Sequence, residues 1–528
     1  MAELDPIRLE IFRSLFTSVA EEMGANLMRA ASSANIKERR DYSCAIFNHQ
    51  GELVAQGEHM PVHLGSMPLS VQAALEQLNF QAGDVAILND PYQGGTHLPD
   101  ITMIAPVCLP GEEPPLFYVA NRAHHADVGG MSAGSMPLAT EIYQEGQIIP
   151  PVKWVDAGTP NTDLQNSLLK NVRTPDERRE DLAAQQAALK VGNKRILELM
   201  DRYGKETIHH FMRQVNDYSE TLMRKELREI PDGIYRAVDY LDDDGVTEDP
   251  VKIYCTITID GDDAEIDFAG SSRQVQGSLN AVFAITYSAT VYCFRSLAQS
   301  NIPVNDGCFR PLHIIAPDRS VVNAAQPAAV AGGNVETSQR IVDVVFRALA
   351  QAAPDRVPAA SQGTMNNLAI GGIGEDGKPF SYYETIAGGM GARPTKPGID
   401  AIHTHMTNTM NTPIEALEIA FPMRVLEYRI KEFSGGLGKH RGGHGIVRSI
   451  ELLTNCAVTL LSDRRIFSPY GLQEGGTGFQ GLNLLVRDGS LHKLPSKFNR
   501  QLLKGDIITI ETPGGGGYAK HEGTPDED

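Results

Sequence analysis

The chain has 528 residues, of which 41% are hydrophobic and 21% are charged, a globular composition in a chain too long for one ordinary core. Its formal net charge of −19 argues against a nucleic acid partner, because few cations would remain to neutralise a phosphate backbone. The same charge argues against docking on an anionic membrane.

The N-terminal quarter predicts a helix followed by paired strands. Asp5 and Pro6 have the residue types of an N-cap and a first helical position, and apolar residues recur at helical spacing over about 6–32. Two apolar runs flank the sequence NHQG at 48–51, which predicts a hairpin. A second helix is predicted at 67–78, and it leads into a strand at 84–90.

The middle of the chain mixes long helices with a hairpin. Residues 175–229 are strongly helical, with Thr174 and Pro175 as the start signal. Residues 251–270 predict a hairpin that turns at an Asp-Gly-Asp sequence, and a further helix is expected near 335–352.

The C-terminal third changes character, because glycines alternate with short apolar runs. This pattern predicts a β-rich lobe with tight turns. Its last glycine run, PGGGGY at 513–518, is interpreted as a tight turn after the final strand. The polar residues that follow predict a disordered tail.

A second predicted hairpin brings distant acidic and imidazole side chains together. Apolar runs within 101–122 flank a turn-rich segment centred near residue 112. Asp100 and His124 are each 12 residues from that centre, so regular pairing places them opposite each other at the open end. His97 lies three residues before Asp100. We therefore expect these three side chains to converge.

The predicted cluster has the chemistry of a metal site. Two neutral imidazoles with carboxylates suit a divalent cation such as Zn, Mn or Fe. A fourth ligand is needed, and the best candidate is Asp41, although two preceding arginines also allow an ordinary surface ion pair. His59 and His63 are separated by Pro61, so we interpret them as loop or core histidines, or as partners that contact the ligands.

Three other segments have two interpretations each. Glu141 and Glu145 stand at i,i+4 spacing, which is typical of one turn of helix but also allows a general acid or base near the metal. His403 and His405 alternate, so on a strand they would share one face, as a substrate wall or as a polar surface. The segment AGGNVETSQR at 331–340 allows an anion at its backbone amides, or a simple turn and helix cap.

No nucleotide-binding motif is found in the sequence, because the run SGGLGKHRGGHG does not match G-x-x-x-x-G-K-[ST] and lacks a strand–loop–helix context. Six scattered cysteines form no C-x-x-C pair, the N-terminus is polar, and no apolar run reaches about 18 residues. These features predict a cytoplasmic protein without a membrane span.

Seven blocks of the sequence, in order, resemble the hydantoinase B/5-oxoprolinase family, whose members are also called HyuB-type subunits. The blocks are RRDYSCAIF, HMPVHLGSMP, NDPYQGGTHLPDI, ANRAHHADVGG, EIYQEG, GGNVETSQR and ETPGGGGY. They extend from near the N-terminus to about residue 518, so the resemblance covers nearly the whole chain.

The resemblance implies a B subunit that works with a HyuA-type large subunit, which carries the ATP site. Together such subunits hydrolyse a small cyclic amide, namely 5-oxoproline, a hydantoin or a lactam. The large subunit is thought to phosphorylate the amide oxygen, and the B subunit to complete hydrolysis at a metal. Related subunits occur in acetone and acetophenone carboxylases, which makes a carboxylase subunit the alternative. A non-catalytic scaffold and a stand-alone metallohydrolase are further hypotheses.

Carried onto this sequence, the resemblance implies Asp41, His97, Asp100 and His124 as the metal ligands. His125 and Glu141 are predicted as the residues that move protons near the metal. We expect a hetero-oligomer in which ATP is bound by the large partner.

The elements together predict an α+β fold, with a mixed multi-lobe architecture, long helices and a glycine-rich, β-rich C-terminal lobe. We expect the chain to divide into a metal-site lobe at 1–170, a helical segment at 171–235, a mixed α/β lobe at 236–430, a β-rich C-terminal lobe at 431–518 and a disordered tail at 519–528.

Overall fold

The computed structural model describes residues 5–57, 59–109, 111 and 114–521. The predicted turn centre near residue 112 and the tail from 522 onward lie outside these residues. The α-helices are α1 (Pro6–Ala30), α2 (Ala34–Lys37), α3 (Ser66–Gln77), α4 (Thr162–Lys170), α5 (Pro175–Tyr203), α6 (Lys205–Arg228), α7 (Phe283–Leu297), α8 (Ser338–Leu349) and α9 (Ile414–Ala420). Within the described residues, no helix combines the length and apolar character needed to cross a membrane.

The first helix confirms its predicted start signal, because the Asp5 carboxylate accepts hydrogen bonds from the backbone N–H groups of Ile7 and Arg8. The long helical segment predicted at 175–229 is also confirmed, but as two helices rather than one. The break falls at Gly204, whose φ of 83° ends α5 in a conformation that favours glycine.

The N-terminal sheet carries both predicted hairpins. Its strands are β1 (Tyr42–Asn48), β2 (Leu53–Gln56), β3 (Val85–Leu88), β4 (Asp100–Val107), β5 (Phe117–His124), β6 (Val152–Asp156) and β7 (Thr159–Pro160). They lie in the order β2-β1-β5-β4-β3-β6-β7, and α5 packs against β4 and β5. The strands at the sheet centre are buried along their length, so their side chains have a fixed register and direction.

A second sheet supports the middle of the chain. Its strands are β8 (Gly233–Leu241), β9 (Val251–Asp260), β10 (Asp263–Asp267) and β11 (Leu312–Ile315), in the order β11-β10-β9-β8. The predicted hairpin of β9 and β10 is confirmed, with Asp260 paired to Asp263 across the turn. Helix α8 packs on β8 and β9, and its apolar face joins one large core that extends to the N-terminal sheet.

Two further sheets lie in the C-terminal part of the chain, and three of their strands begin before residue 431, where the β-rich lobe was predicted to start. Their strands are β12 (Asn367–Ile373), β13 (Pro379–Glu384), β14 (Met423–Lys431), β15 (Gly445–Leu452), β16 (Cys456–Leu461), β17 (Leu482–Arg487), β18 (Ser490–Leu494), β19 (Lys497–Leu502) and β20 (Ile507–Glu511). One sheet has the order β13-β12-β16-β19 and the other β14-β15-β20-β17-β18. Side chains of both sheets form a separate hydrophobic core. The fold is therefore α+β with several sheets, as expected.

The glycine-rich segments form an extended bundle, so the prediction of a tight turn at 513–518 is wrong. The glycine bundle consists of segments 388–398, 434–445, 471–478 and 512–518, which exchange backbone hydrogen bonds such as Gly515 N–H to Gly443 O at 2.9 Å. A Cβ built on Gly442 would lie 1.9 Å from the carbonyl oxygen of Gly515. Backbones approach closely from several directions here, and side chains would prevent that approach.

Candidate metal centre

The hairpin of β4 and β5 places an acid opposite a histidine, as the spacing predicts. Asp100 and His124 are directly paired residues at the open end of this hairpin, and the Oδ1 of Asp100 lies 3.2 Å from the Nδ1 of His124. The loop before β4 returns His97 to the same point, where its Nε2 lies 3.1 Å from Asp100 Oδ1. One ligand atom from each of these three buried residues lies within 4.8 Å of the others.

The second oxygen of Asp100 is held by two more side chains. Thr96 donates its hydroxyl to Oδ2 at 2.6 Å, and the Nε2 of His63 lies 3.3 Å from the same oxygen. The opposite nitrogen of His63 contacts the Ser43 hydroxyl at 2.9 Å. Asp100 is therefore held in one orientation by contacts on both carboxylate oxygens.

Residues far along the chain complete the cluster. The Nδ2 of Asn334, in the helical turn Gly333–Thr337 before α8, lies 3.1 Å from His97 Nε2. The ring of Tyr383, on β13, stacks on His124 with centroids 4.6 Å apart. Tyr383 is itself covered by the guanidinium of Arg39 at 5.0 Å.

These side chains enclose a cavity of about 20 Å³, which is room for one ion or one water molecule. This inner cavity is lined by Asp41, Met60, Val62, His63, His97, Asp100, His124, Asn334, Val335, Met365, Tyr383, Thr385, Thr407 and Thr409. Its lining contains two carboxylates and three imidazoles but no lysine or arginine.

Burial and mutual contact set the charges of this cluster. Burial lowers the pKa of His63 and of His124, and nearby Asp100 opposes that shift only in part. Burial by itself would raise the pKa of Asp100, but His97, His124 and His63 hold it well below its usual range. The result is an ionised Asp100 carboxylate beside the imidazoles of His63 and His124, which favour the neutral form.

This arrangement fits a divalent cation. Neutral imidazole nitrogens and carboxylate oxygens are the ligand types of Zn, Mn and Fe sites. The Nδ1 of His97 and the Nε2 of His124 are buried and have no hydrogen-bond partner among the described residues. Since buried polar atoms normally have partners, and a buried carboxylate needs a counter-charge, a cation would satisfy both requirements.

The fourth predicted ligand, Asp41, lines the same cavity but is not in the compact group of three. It is buried just before β1, and its Oδ2 lies 3.9 Å from the guanidinium of buried Arg39. The alternative interpretation as a surface ion pair is therefore wrong, because neither partner is at the surface. Its ligand role stays a prediction.

The two residues predicted to move protons lie elsewhere. His125 is buried against α5, where its Nε2 lies 2.9 Å from the Gln185 amide oxygen, and it does not line the inner cavity. Glu141 is exposed and caps a short helical turn at Ile142–Gln144. Their predicted role stays a prediction that this placement does not favour. The neighbouring Glu145 is buried and accepts hydrogen bonds from the backbone of Val330 and Ala331, which precede Asn334.

Sequence reasoning missed several residues of the site. Thr96, Tyr383 and the three threonines at 385, 407 and 409 carry no metal-site pattern in the sequence. Asn334 lies in the segment 331–340, for which the sequence indicates only an anion contact or a helix cap. Of the histidines left open, His63 does contact a predicted ligand, whereas His59 lies near Glu21 and Tyr42. The density of Thr in the sequence HTHMTNTMNT was the one available signal for the hydroxyl-lined wall.

Comparison with known protein families gives a match along the chain. A family model described as Hydantoinase B/oxoprolinase matches residues 5–521. An uncharacterized protein of Methanocaldococcus jannaschii is 44% identical over 98% of this chain and 91% of its own length. A 5-oxoprolinase of Dictyostelium discoideum is 40% identical over 98% of this chain, which spans only 41% of that longer protein. A protein of a Pseudomonas species, named as the B subunit of a putative D-/L-hydantoinase, is 31% identical, with 98% and 90% of the two chains covered.

Two solved structures share the fold. The ATP-dependent caprolactamase of Pseudomonas jessenii superposes with a TM-score of 0.89 at 28% identity, over 98% of this chain and 92% of the other. An acetone carboxylase superposes with a TM-score of 0.92 at 19% identity, over 98% and 76% of the two chains. At that lower identity the second likeness is one of fold alone.

Proposed function

The chain belongs to the hydantoinase B/oxoprolinase family, and on this premise we propose that it is the metal-bearing B subunit of an ATP-dependent cyclic amide hydrolase. The relatives named as a 5-oxoprolinase and as a hydantoinase component, and the caprolactamase of the same fold, support ring opening of a cyclic amide. The observation that carries the proposal is the convergence of His97, Asp100 and His124 in one buried cavity.

A separate A-type subunit is part of the proposal. The hydantoinase relative, of which the chain covers 90%, is itself named as a B subunit. The sequence of the chain has no P-loop motif. A HyuA-type large subunit would supply the ATP site, and the working enzyme would be a hetero-oligomer.

The cation would be held by His97, Asp100 and His124, with Asp41 as the fourth ligand. Such a cation lowers the pKa of bound water and makes hydroxide available near neutral pH. The chain itself contributes the orientation of the ligand side chains. Because His63 and Thr96 hold the second oxygen of Asp100, its first oxygen keeps one direction in the cavity.

The walls of the inner cavity also limit what reaches it. An unstrained amide is stabilised by resonance, so its hydrolysis needs both an activated carbonyl and a well-placed nucleophile. Tyr383 and Met365 close one part of the inner cavity, and Thr385, Thr407 and Thr409 line another part with hydroxyls. With room for one ion or one water-sized group, the cavity would hold the cation and exclude bulk water.

The test is an assay of the chain together with a HyuA-type large subunit from the same source. We expect ATP-dependent ring opening of 5-oxoproline, hydantoin or caprolactam, and one equivalent of a divalent cation by elemental analysis. Bicarbonate-dependent carboxylation of acetone without ring opening would instead assign the carboxylase role. Full hydrolytic activity in preparations without cation would refute the metal-bearing role.

A further inference from the structure

A second pocket adjoins the inner cavity and is large enough for a substrate. This outer pocket has a volume of about 450 Å³, within the range of small-molecule sites. Thr407 lines both spaces, and Pro61 of the outer pocket lies between Met60 and Val62 of the inner cavity. Since the inner cavity admits one ion or water but no ring, a ring that reacts there must have most of its atoms in the outer pocket.

Hydroxyl groups connect the linings of the two spaces. The hydroxyl of Thr407 lies 3.2 Å from that of Thr409, which lies 2.9 Å from that of Thr385. Thr385 in turn accepts a hydrogen bond from Arg39, whose guanidinium is 3.9 Å from the Asp41 carboxylate. The polar groups therefore continue without a break from the outer pocket to the wall of the inner cavity.

The charge of the outer pocket is opposite to that of the chain as a whole. The net charge of the protein is −19, but none of the residues that line this pocket is acidic. Two lining residues are arginines. Arg356 is paired with Glu226 at 2.6 Å. Arg393 donates to the backbone oxygen of Pro397 at 3.0 Å, and no carboxylate in the described part of the chain pairs with it.

Arg393 is also unsatisfied within the protein, because its Nε is buried and has no partner among the described residues. A guanidinium normally presents several donors to an oxyanion, and a carboxylate can accept two of them at once. Arg393 lies in segment 388–398 of the glycine bundle, where its own N–H donates to Lys396 O at 2.9 Å and Met390 N–H donates to Ile399 O at 3.0 Å. These hydrogen bonds hold the backbone on both sides of Arg393.

The wall of the outer pocket also offers a hydrogen-bond acceptor. The amide nitrogen of Asn411 donates to Glu384 and to the carbonyl of Thr385, so its oxygen faces the Nε2 of His403 at 3.3 Å. His403 Nε2 must then carry the proton, and Nδ1 is left as an acceptor. That Nδ1 is buried and has no partner in the described residues. A ring N–H is a group that would satisfy it.

The backbone beside this wall is strained. His405, which also lines the outer pocket, is buried at a φ of 58°, in the left-handed region that is unfavourable for a non-glycine residue. Its Nδ1 faces the Tyr292 hydroxyl at 3.3 Å. Strained residues of this kind occur at ligand sites, where the surrounding structure holds them in place.

We propose that the outer pocket binds the ring of the substrate and that Arg393 pairs with an oxyanion group carried by that ring. The inference rests on the proposed function and adds the substrate class, an anionic cyclic amide rather than a neutral lactam. Two groups have this chemistry, a carboxylate on the ring and a phosphoryl group on an activated ring. The carboxylate is present before the ring is phosphorylated by ATP, whereas the phosphoryl group is present only after that reaction.

The test measures equilibrium binding to the purified, cation-loaded chain by titration calorimetry. 5-Oxoproline and 2-pyrrolidinone share the lactam ring and differ only in the carboxylate, and inorganic phosphate represents the phosphoryl group. We expect 5-oxoproline to bind more tightly than 2-pyrrolidinone, and Arg393→Met to weaken it about tenfold or more while Arg393→Lys retains part of the affinity. Exposed Lys396, in the same loop, provides the control Lys396→Met, which should bind like the wild type.

The other outcomes either show which of the two oxyanions Arg393 binds or contradict the proposed binding site. Binding of phosphate that depends on Arg393, with 5-oxoproline no tighter than 2-pyrrolidinone, would assign the oxyanion to the phosphoryl group. Equal affinity for all three ligands, unchanged 5-oxoproline binding in Arg393→Met, or no binding to the wild type at millimolar concentration would each overturn the subsite. Cation content, measured on the same samples, shows separately whether the metal-bearing role has failed.

Discussion

Asp100 and His124 are paired residues of neighbouring antiparallel strands, and the carboxylate of the first lies 3.2 Å from the imidazole of the second. The pair is held at the end of a hairpin buried along both strands. Its geometry is thus set by backbone register, whereas His97 arrives from a loop and Asn334 from the middle of the chain.

Replacement of the central carboxylate should remove the cation. We expect Asp100→Asn to reduce cation content to near zero and ring opening by more than about 100-fold, because the ligand that both histidines face is lost. The fold should persist, since the side chain keeps its shape. Elemental analysis, activity with the large subunit and circular dichroism measure these quantities. Asp156→Asn, at an exposed position on β6, is the matched control, and a cation bound normally by Asp100→Asn would contradict the ligand assignment.

Two histidine variants test whether a residue must contact a metal ligand to affect cation binding, or need only be its neighbour in the sequence. His63 touches Asp100, whereas His125 faces Gln185 on the other side of the sheet. We therefore expect His63→Gln to weaken cation affinity by about 10–100-fold and His125→Gln to leave it unchanged. Titration of the cation-free proteins measures both. If the His125 variant alone lost turnover with its cation retained, the predicted proton-transfer role of His125 would be supported instead.

The glycine bundle should not tolerate side chains. A Cβ at position 442 would lie 1.9 Å from the backbone oxygen of Gly515, so Gly442→Ala should lower the free energy of unfolding by about 3 kcal/mol. In Gly374→Ala the new Cβ meets the exposed Asp376 side chain, which can move away, so little change is expected. Denaturant unfolding of the two variants compares them. Equal stability would mean that the bundle can widen without cost.

A buried glutamate predicts a pH dependence of stability. Burial raises the pKa of Glu145 to about 8, although hydrogen bonds from the backbone N–H groups of Ala331 and Val330 act to lower it. Between about pH 5 and 8 the unfolded chain loses this proton while the folded chain keeps it, so the free energy of unfolding falls as the pH rises. Glutamine cannot titrate.

Glu145→Gln should therefore gain melting temperature relative to the wild type at pH 8.5, and gain less at pH 6. Thermal unfolding of both proteins across this range gives the comparison. Exposed Glu141, four residues earlier, offers the control Glu141→Gln, which should follow the wild-type pH profile. A constant difference between Glu145→Gln and the wild type at all pH values would show that Glu145 is ionised in the fold.

The local parts of the site could be predicted because they depend on short-range rules. Strand pairing is antiparallel and its side chains alternate, so residues equally far from a turn must face each other. This is why Asp100 and His124 were expected to meet. The N-cap at Asp5 and the helical spacing that follows it are local in the same sense.

Other features of the sequence left more than one interpretation open, because several structures satisfy the same local pattern. Glu141 and Glu145 have similar sequence surroundings, yet one is exposed and the other buried against Val330, some 185 residues away. The glycines at 513–518 are as compatible with a turn as with extended chain, and the choice depends on whether other glycine segments pack beside them.

The sequence by itself determined the α+β elements, the hairpin that opposes Asp100 to His124, and the family resemblance. Only the tertiary structure decided that Tyr383 stacks on His124, that Asn334 contacts His97, and that Thr407 joins two cavities. The physical reason is the separation along the chain over which each kind of interaction acts. Backbone hydrogen bonding and side-chain alternation act over a few residues, whereas packing between lobes depends on the shapes of surfaces that exist only after each lobe has folded.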